Sequence, residues 1–428
     1  MRVLLTANAS YVPPRGGATR SNLLWLEHIA AASPPGEIAC QVVAAALPDS
    51  AAKREQMARE SQNWETAGNV AGARRWRRGG ILVYEAAERS GQAALLRRQI
   101  HELQPDWVLV SSEDLGHVLL REAQHSAPGR VVYLAHTPQF FPFGPASWNP
   151  DKHATELVRR AAGVVAIGRH TAAYIRKHAG CDAAVIHPPI YGGGPFPNLS
   201  SFAGGLITMV NPCAVKGISI FLALAGRFPR RGFGVLPGWG TTAADRANLS
   251  AHPNIRILPN CPHISEFLAR TRALLMPSLW YEGFGLTVME AMLHGIPVIA
   301  SDAGGLVEAK MGTPFIAPVC AIERYEPVFD EHALPKPVIE PQDPGPWVEA
   351  LEALEDRERY GQVSAVSREA ATRFVGSLDA GRMLRYLQTL GPGEAAPEPA
   401  SLASLSAEKR ALLLRRIRSR TTAAAEPR

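Results

Sequence analysis

The chain is poor in cysteine: Cys40, Cys181, Cys213, Cys261 and Cys320 are odd in number, widely scattered and form no Cys-x-x-Cys pair. That argues against a disulfide framework or a zinc site and for a reducing cytoplasm. No apolar run reaches the roughly eighteen residues of a membrane-spanning helix, so no span is expected. The opening residues, MRVLLTANAS, have too short an apolar stretch for a secretory leader and read as a first strand. No Asp-x-Asp pair occurs in the sequence. A broad basic surface is missing too. From Glu408 onward seven Lys/Arg stand against two Asp/Glu, so five of the net +6 charges sit in the tail. No nucleic-acid partner is expected.

What is present is an alternation of strands and helices over 428 residues, enough for two domains and an extension. Strands are expected at 3–9, 40–46, 81–84, 107–111, 131–135, 164–167 and 184–187, with helices between them. The strand, the loop Pro13-Pro14-Arg15-Gly16-Gly17, a helix from about Ser21 to Ala32 and the next strand make a mononucleotide-type unit. The strand Val131–Ala135 delivers His136 at its carboxyl end, where catalytic groups of open α/β sheets collect. Pro188-Pro189 and Gly192-Gly193-Gly194-Pro195 mark a linker. A second alternation begins at Leu206–Val210, and Lys216 lies at its first strand-to-helix crossing, suited to a diphosphate as a point charge. The expected divisions are 1–195, 196–375, a returning helix 376–390, and 391–428 as linker and tail.

One stretch gathers polar groups at a single edge: PSLWYEGFGLTVMEAMLHGIPVIASDAGGLVE, from Pro277 to Glu308. It predicts a strand ending near Met276, the loop Glu282-Gly283-Phe284-Gly285, a helix from about Leu286 to His294, a strand Pro297–Ala300 and a turn at Gly304-Gly305. Gly283 and Gly285 let backbone N–H groups approach an anion, and the helix behind them adds its positive dipole end. Glu282 lies in the loop, with Glu290 eight residues on, about two turns into the helix on the same side. Carboxylates at the mouth of an anion site suit hydroxyls attached to the anion. Phosphate flanked by hydroxyls outlines a nucleotide sugar. Glu290 stands in a run suited to burial, and a buried carboxylate needs a partner.

In order, Glu282-Gly283-Phe284-Gly285-Leu286, Glu290, Ala291-Met292, Gly295–Ser301 and Gly304-Gly305 resemble the donor-site signature of retaining family 4 glycosyltransferases. The resemblance implies the α/β GT-B fold: two Rossmann-like domains face a central cleft, with a C-terminal helix crossing back. It implies metal-independent transfer of a sugar from a nucleoside diphosphate sugar, UDP or GDP, to an acceptor hydroxyl, with no cofactor. By the same resemblance Gly16 and Gly17 lie under the donor phosphates. Lys216, the amides of Gly283, Phe284, Gly285 and Leu286, and the Thr287 hydroxyl stabilise the departing diphosphate. Asn211 stands where the family usually has an Arg, which leaves Lys216 carrying more of that charge. Glu282 contacts sugar hydroxyls, Glu290 the ribose, and His136 the donor sugar near the reaction centre. Two other classes compete: a sugar-nucleotide epimerase or hydrolase of the same fold, which forms product without an acceptor, and a binding protein without catalysis.

The acceptor is less legible. The aromatic loop Phe140–Phe143 leans toward a small natural product. The cluster Arg74-Arg75-Trp76-Arg77-Arg78, at the end of a polar segment from Lys53 read as helical, reads first as a solvated helix end, and otherwise leans toward a lipid or polysaccharide acceptor or peripheral membrane association. Pro318–Pro346 reads as irregular chain, a lid or a wrap. Helices are expected at Trp347–Leu354, about Ser364–Val375, and Asp379–Leu390 with Asp379 as N-cap. The basic amphipathic segment 406–420 resembles short sequences near condensation-domain boundaries of nonribosomal peptide synthetases, and it suits either a docking helix for a biosynthetic megaenzyme or a disordered, solvating tail.

Overall fold

The computed structural model describes residues 1–14, 16–32, 34, 36–45, 64–70, 72–261 and 263–391. The tail helix expected over 406–420 lies outside the described residues. Two sheets carry the chain. The first holds β1 (Arg2–Ala7), β2 (Ala39–Ala45), β3 (Glu65–Val70), β4 (Ala73–Arg78), β5 (Ile81–Ala86), β6 (Trp107–Ser111), β7 (Val131–Ala135), β8 (Gly163–Ala166) and β9 (Ala184–Val185). Its order is β3-β4-β5-β2-β1-β6-β7-β8-β9, parallel from β5 to β9. The second holds β10 (Leu206–Val210), β11 (Phe233–Leu236), β12 (Ile255–Ile257), β13 (Thr271–Met276), β14 (Val298–Ser301) and β15 (Ile316–Ala317), all parallel. Its order, β12-β11-β10-β13-β14-β15, is that of a dinucleotide-type sheet, whose ligands bind beyond the carboxyl ends of the strands. Continuous apolar runs such as Val131–Ala135 and Ala273–Met276 are buried along their whole length, as strands covered on both faces must be.

Several helices begin where a side chain satisfies the free N–H groups of the first turn. Asp151 caps Lys152–Arg159, Asp356 caps Arg357–Gly376, and Thr242 with Asp245 forms a capping box on Ala243–Ser250. The last described helix, Arg382–Thr389, lies against the first sheet's domain, with Tyr386 and Leu390 packed over Gly163.

Four expectations are corrected. The described part of the segment read as helical from Lys53 to Arg78 is the antiparallel pair β3–β4 at the sheet's edge. Trp76 is buried with Arg74 over its ring, so the arginines hid a strand whose core contacts are only Ala73 and Trp76. The stretch Pro318–Pro346 contains a hairpin, β16 (Tyr325–Phe329) with β17 (Pro335–Pro337). The helix placed at about Ser364 starts at Arg357, because Asp356 caps it. Asp379 does not cap a helix by its side chain. The helix starts at Arg382, and Asp379 accepts from the Gly381 N–H and pairs with Arg385.

Candidate active site

The carboxyl edges of the two sheets face each other, and the residues singled out from sequence collect between them. Lys216, in the short 3-10 turn Ala214–Lys216 after β10, reaches the loop that follows β13. Its Nζ lies 2.5 Å from Glu282 Oε1 and 4.4 Å from the centre of the Trp280 ring. The Ser278 hydroxyl donates to the same carboxylate. Burial alone would raise the Glu282 pKa, but the Lys216 charge and these hydrogen bonds outweigh it and hold the carboxyl below its ordinary range. Both side chains are nearly buried, so each is the other's charge partner in a site of low polarisability.

The loop Glu282–Gly285 leads into the helix Leu286–Leu293, with Gly285 in the left-handed region at its N-cap (φ 115°). No side chain caps this helix, so its first N–H groups are available to an anion. Thr287 lies half-buried in the first turn. Opposite, the helix Gly17–Ala31 starts just after Gly16, also without a side-chain cap. A Cβ on Gly17 would lie 2.8 Å from Leu286 Cδ1, so the two helix starts approach across the cleft. Glu290, fifth in its helix, keeps 12% of its side chain exposed and has the partner its position demanded in Arg20, 3.7 Å away on the first-domain helix. Burial raises its pKa and Arg20 opposes the rise.

Gly283 serves a purpose its sequence context did not suggest. A Cβ there would overlap the carbonyl oxygen of His136, so the glycine lets the two domains meet backbone to backbone. Thr171 Oγ1 donates to the Gly283 carbonyl at 2.9 Å. The Phe284 side chain points away from the helix start, stacking on Phe374 at 5.7 Å and lying beside His187. Among the donor-site candidates it contributes only backbone.

His136 is buried at the end of β7, with its N–H donating to Ser112 Oγ at 3.0 Å and Nε2 2.8 Å from Asn22 Oδ1. Burial pushes its pKa down to about 3, so the ring is neutral at physiological pH. Asn211, in the left-handed region at φ 56°, accepts from the Gly240 N–H at 2.9 Å through Oδ1 and so pins the turn after β11. Its Nδ2 is buried with no hydrogen-bond partner among the described residues.

Sequence reading missed the residues that hold the domains together and those that wall the cleft. Glu308, almost fully buried, accepts from the His170 N–H at 3.1 Å and lies 3.0 Å from His187 Nε2. Burial would raise its pKa, yet the hydrogen bonds from His187, Arg169 and His170 hold it below the ordinary value. Tyr281 donates to the His170 carbonyl at 3.0 Å. Aromatic rings form a wall beside Lys216. Trp280 lies 5.5 Å from half-exposed Trp239 and 6.0 Å from Trp148, which in turn contacts Phe140 and Tyr325 of the hairpin. The hairpin is tied to the Trp239 turn where Glu331 accepts from the Ala243 N–H at 2.8 Å. Trp280 could have been flagged by its place between Ser278 and Glu282. The other partners are distant in sequence and left no signal.

Two parallel sheets whose switch-point crevices face each other, with a lysine beside an uncapped helix start, have the arrangement of a GT-B glycosyltransferase. Sequence profiles agree: "Glycosyltransferase Family 4" matches residues 16–191 and "Glycosyl transferases group 1" matches residues 205–354, together about three quarters of the chain. The chain belongs to this group of glycosyltransferases. The chain is 28% identical over 101 residues (24% of its length, 27% of the relative's) to an uncharacterised 42.6 kDa protein of the Klebsiella pneumoniae cps region. The chain thus spans about a quarter or less of the curated relatives it matches. Among solved structures, Anabaena HepE in complex with UDP and glucose superposes with a TM-score of 0.62 at 17% identity, covering 91% of this chain and 100% of that one. Sucrose-phosphate synthase of Thermosynechococcus elongatus gives 0.64 at 14% identity, covering 90% and 98%. At such identities these structures speak for the fold.

Proposed function

We propose that the protein transfers a hexosyl group from a nucleoside diphosphate sugar to a hydroxyl of a ring-bearing small molecule, with retention and without a metal ion. The observation that carries this reading is the Lys216–Glu282 pair set beside the uncapped start of Leu286–Leu293, with a second helix start opposite. As the bond from the anomeric carbon to the diphosphate breaks, charge grows on the departing oxygen, where Lys216 and the helix N–H groups stabilise it. To do so Lys216 exchanges Glu282 for phosphate, which frees the carboxylate for sugar hydroxyls. The acceptor hydroxyl bonds to the anomeric carbon, and its proton passes to the leaving diphosphate. In this reading the ribose meets Glu290, whose cross-domain partner is Arg20. Retention is carried over from the family signature, and metal independence rests on Lys216 supplying the positive charge.

The HepE complexes with UDP and with UDP-glucose favour a uridine donor. The aromatic wall of Trp148, Trp239 and Trp280 favours an acceptor with a flat ring face, as many natural products have. A cytoplasmic location fits five free cysteines, and among the described residues no helix is long and apolar enough to cross a membrane. A thermal-shift panel of UDP, GDP and their glucose and mannose conjugates tests the reading, with Glu290→Ala alongside. Stabilisation by one nucleotide series, reduced in the variant, is expected. Release of free nucleotide should rise when hydroxyl acceptors are added. Release at full rate without any acceptor would favour a hydrolase, and no shift with any nucleotide would sink the proposal.

A further inference from the structure

A groove of about 720 Å³ lies at the end of the helix Leu286–Leu293 that points away from the cleft. Asn198 and Ser200, from the segment that links the two sheets, line one side, and Ser364, Arg368, Thr372 and Arg373 of the helix Arg357–Gly376 line the other. The eight residues of Leu286–Leu293 set it about 12 Å from the donor loop. Its walls are fixed. Asn198 Oδ1 accepts from the N–H and the hydroxyl of Ser200 at 3.1 and 2.8 Å, and the Leu199 N–H donates to the His294 carbonyl at 2.9 Å. Ser364 Oγ donates to the Gly295 carbonyl at 2.6 Å. Gly295 is in the left-handed region at φ 72°, and a Cβ on it would lie 2.5 Å from Asn198 Oδ1, so only glycine lets the linking segment seat here.

The lining is polar. Ala365 is the one apolar side chain among the described residues that form it, which disfavours a flat or aliphatic ligand. Arg368 Nη2 donates to the Phe196 carbonyl at 2.8 Å, the guanidinium's one hydrogen bond among the described residues, so most of its N–H donors are unspent. Glu369 pairs with Arg373, so two arginines against one glutamate leave one net positive charge in the lining. Gly361 stands inside the helix, where glycine is disfavoured relative to alanine. A Cβ there would meet nothing within 4 Å, so no neighbour requires the glycine, and its effect is to keep the groove open.

We propose that this groove is a second binding site, separate from the cleft, for a sugar carrying one phosphate or carboxylate. The anion pairs with Arg368 through charge-assisted hydrogen bonds, and the sugar hydroxyls meet Ser200, Thr372 and the Asn198 amide. The linking segment is one chain crossing between the domains, and Arg357–Gly376 leads into the other, the helix Arg382–Thr389 on the first domain. A ligand that joins the two walls therefore ties both crossings together and couples to the cleft.

Calorimetry on the full chain with glucose 6-phosphate, glucuronate, glucose and inorganic phosphate tests the site. One of the two anionic sugars should bind wild type more tightly than glucose or phosphate does, and which one it is names the anion. Arg368→Gln should weaken it about 10- to 100-fold, the loss of hydrogen bonds to a charged group. Gly361→Leu fills the groove, meets no neighbour and favours the helix, so Tm should hold or rise while binding is lost. Undiminished binding to Gly361→Leu would put the ligand elsewhere and overturn the proposal, as would a wild type that binds neither anionic sugar. Coupling is read from UDP-glucose affinity with and without the anionic sugar, an arm that rests on the proposed function. A shift in wild type that Gly361→Leu lacks supports the coupling, and no shift in wild type refutes it. Failure of UDP-glucose to bind at all would count against the proposed function and leave the groove to be decided by Gly361→Leu.

Discussion

Replacing Gly283 by alanine isolates the contact on which closure of the cleft depends. The added Cβ would overlap the His136 carbonyl oxygen and lie 3.0 Å from Ile167 Cδ1, both in the opposite domain. Neither side can retreat easily. His136 is held through its N–H by Ser112 and through its ring by Asn22, and the Gly283 carbonyl is held by Thr171. Overpacking of this kind costs about 1–3 kcal/mol. Because the clash exists only when the domains meet, the cost falls on the closed form and not on the folding of either sheet. The closed-to-open ratio should fall about 5- to 150-fold, and apparent donor affinity should fall with the closed fraction. Small-angle scattering should report a larger radius of gyration, and calorimetry a weaker nucleotide-sugar affinity. Gly305→Ala is the control, since its Cβ would strike the Gly283 carbonyl and Phe284 Cα within one domain and should lower Tm instead. Gly17→Ala meets only the flexible end of Leu286 and should do less. A Gly283→Ala protein with unchanged radius and affinity but a lowered Tm would refute the assignment of this glycine to closure.

Lys216→Met should lower stability by about 3–5 kcal/mol, because it strands the Glu282 carboxylate in a buried site. Lys216→Met/Glu282→Gln should recover much of the loss in urea unfolding while remaining inactive. Lys310, fully buried with its ammonium on the Val298 carbonyl, has its pKa pushed down to about 7 from 10.5. The unfolded chain binds that proton more tightly, so wild-type stability should rise between about pH 7 and 10.5, by about 2 kcal/mol from pH 7 to 9. Lys310→Met should abolish that part of the slope. Glu308, depressed below its ordinary 4.5, stabilises the interdomain contact above that value and loses it as pH falls further. Acid should therefore open the cleft in scattering before it melts either sheet, and Glu308→Gln should be partly open already at pH 7.

The sheets were legible because buried parallel strands are written as apolar runs, and those runs need no partner to be recognised. The donor loop was legible for a related reason: its glycines, carboxylates and helix start lie within about thirty consecutive residues. The β3–β4 pair was not. Arginines occupy four of the six β4 sites, and its inward residues Ala73 and Trp76 stand three apart, a spacing that does not read as strand alternation. The early start of Arg357–Gly376 and the late start of Arg382–Thr389 turned on which of Asp356 and Asp379 finds its helix N–H groups, a matter of backbone placement. Arg20 with Glu290, and His187 with Glu308, were invisible because each pair joins residues more than a hundred positions apart. Composition says that a buried carboxylate needs a partner and stays silent about which.

That division has a consequence for how the site works. The partners of Glu282, Lys216 and Ser278, belong to its own domain, so its ionisation is set before the cleft closes. Those of Glu290 and Glu308, Arg20 and His187, come from the other domain, so these carboxylates are compensated only when the sheets meet. An open molecule would expose Glu290 and Glu308 to water, where a free carboxylate is well solvated. A closed one trades that solvation for cross-domain pairing, and the two terms nearly cancel for partly buried ion pairs. Closure is then finely balanced by design of these pairs, and a ligand that supplies its own hydroxyls to Glu290 can tip it without making many contacts. The resting Lys216–Glu282 pair, in contrast, must be broken for a phosphate to bind, which penalises an anion that brings no hydroxyls for the released carboxylate. On the proposed function, a nucleoside diphosphate sugar brings both a phosphate for Lys216 and hydroxyls for Glu282, so it should bind more tightly than free diphosphate, which calorimetry with the two ligands checks.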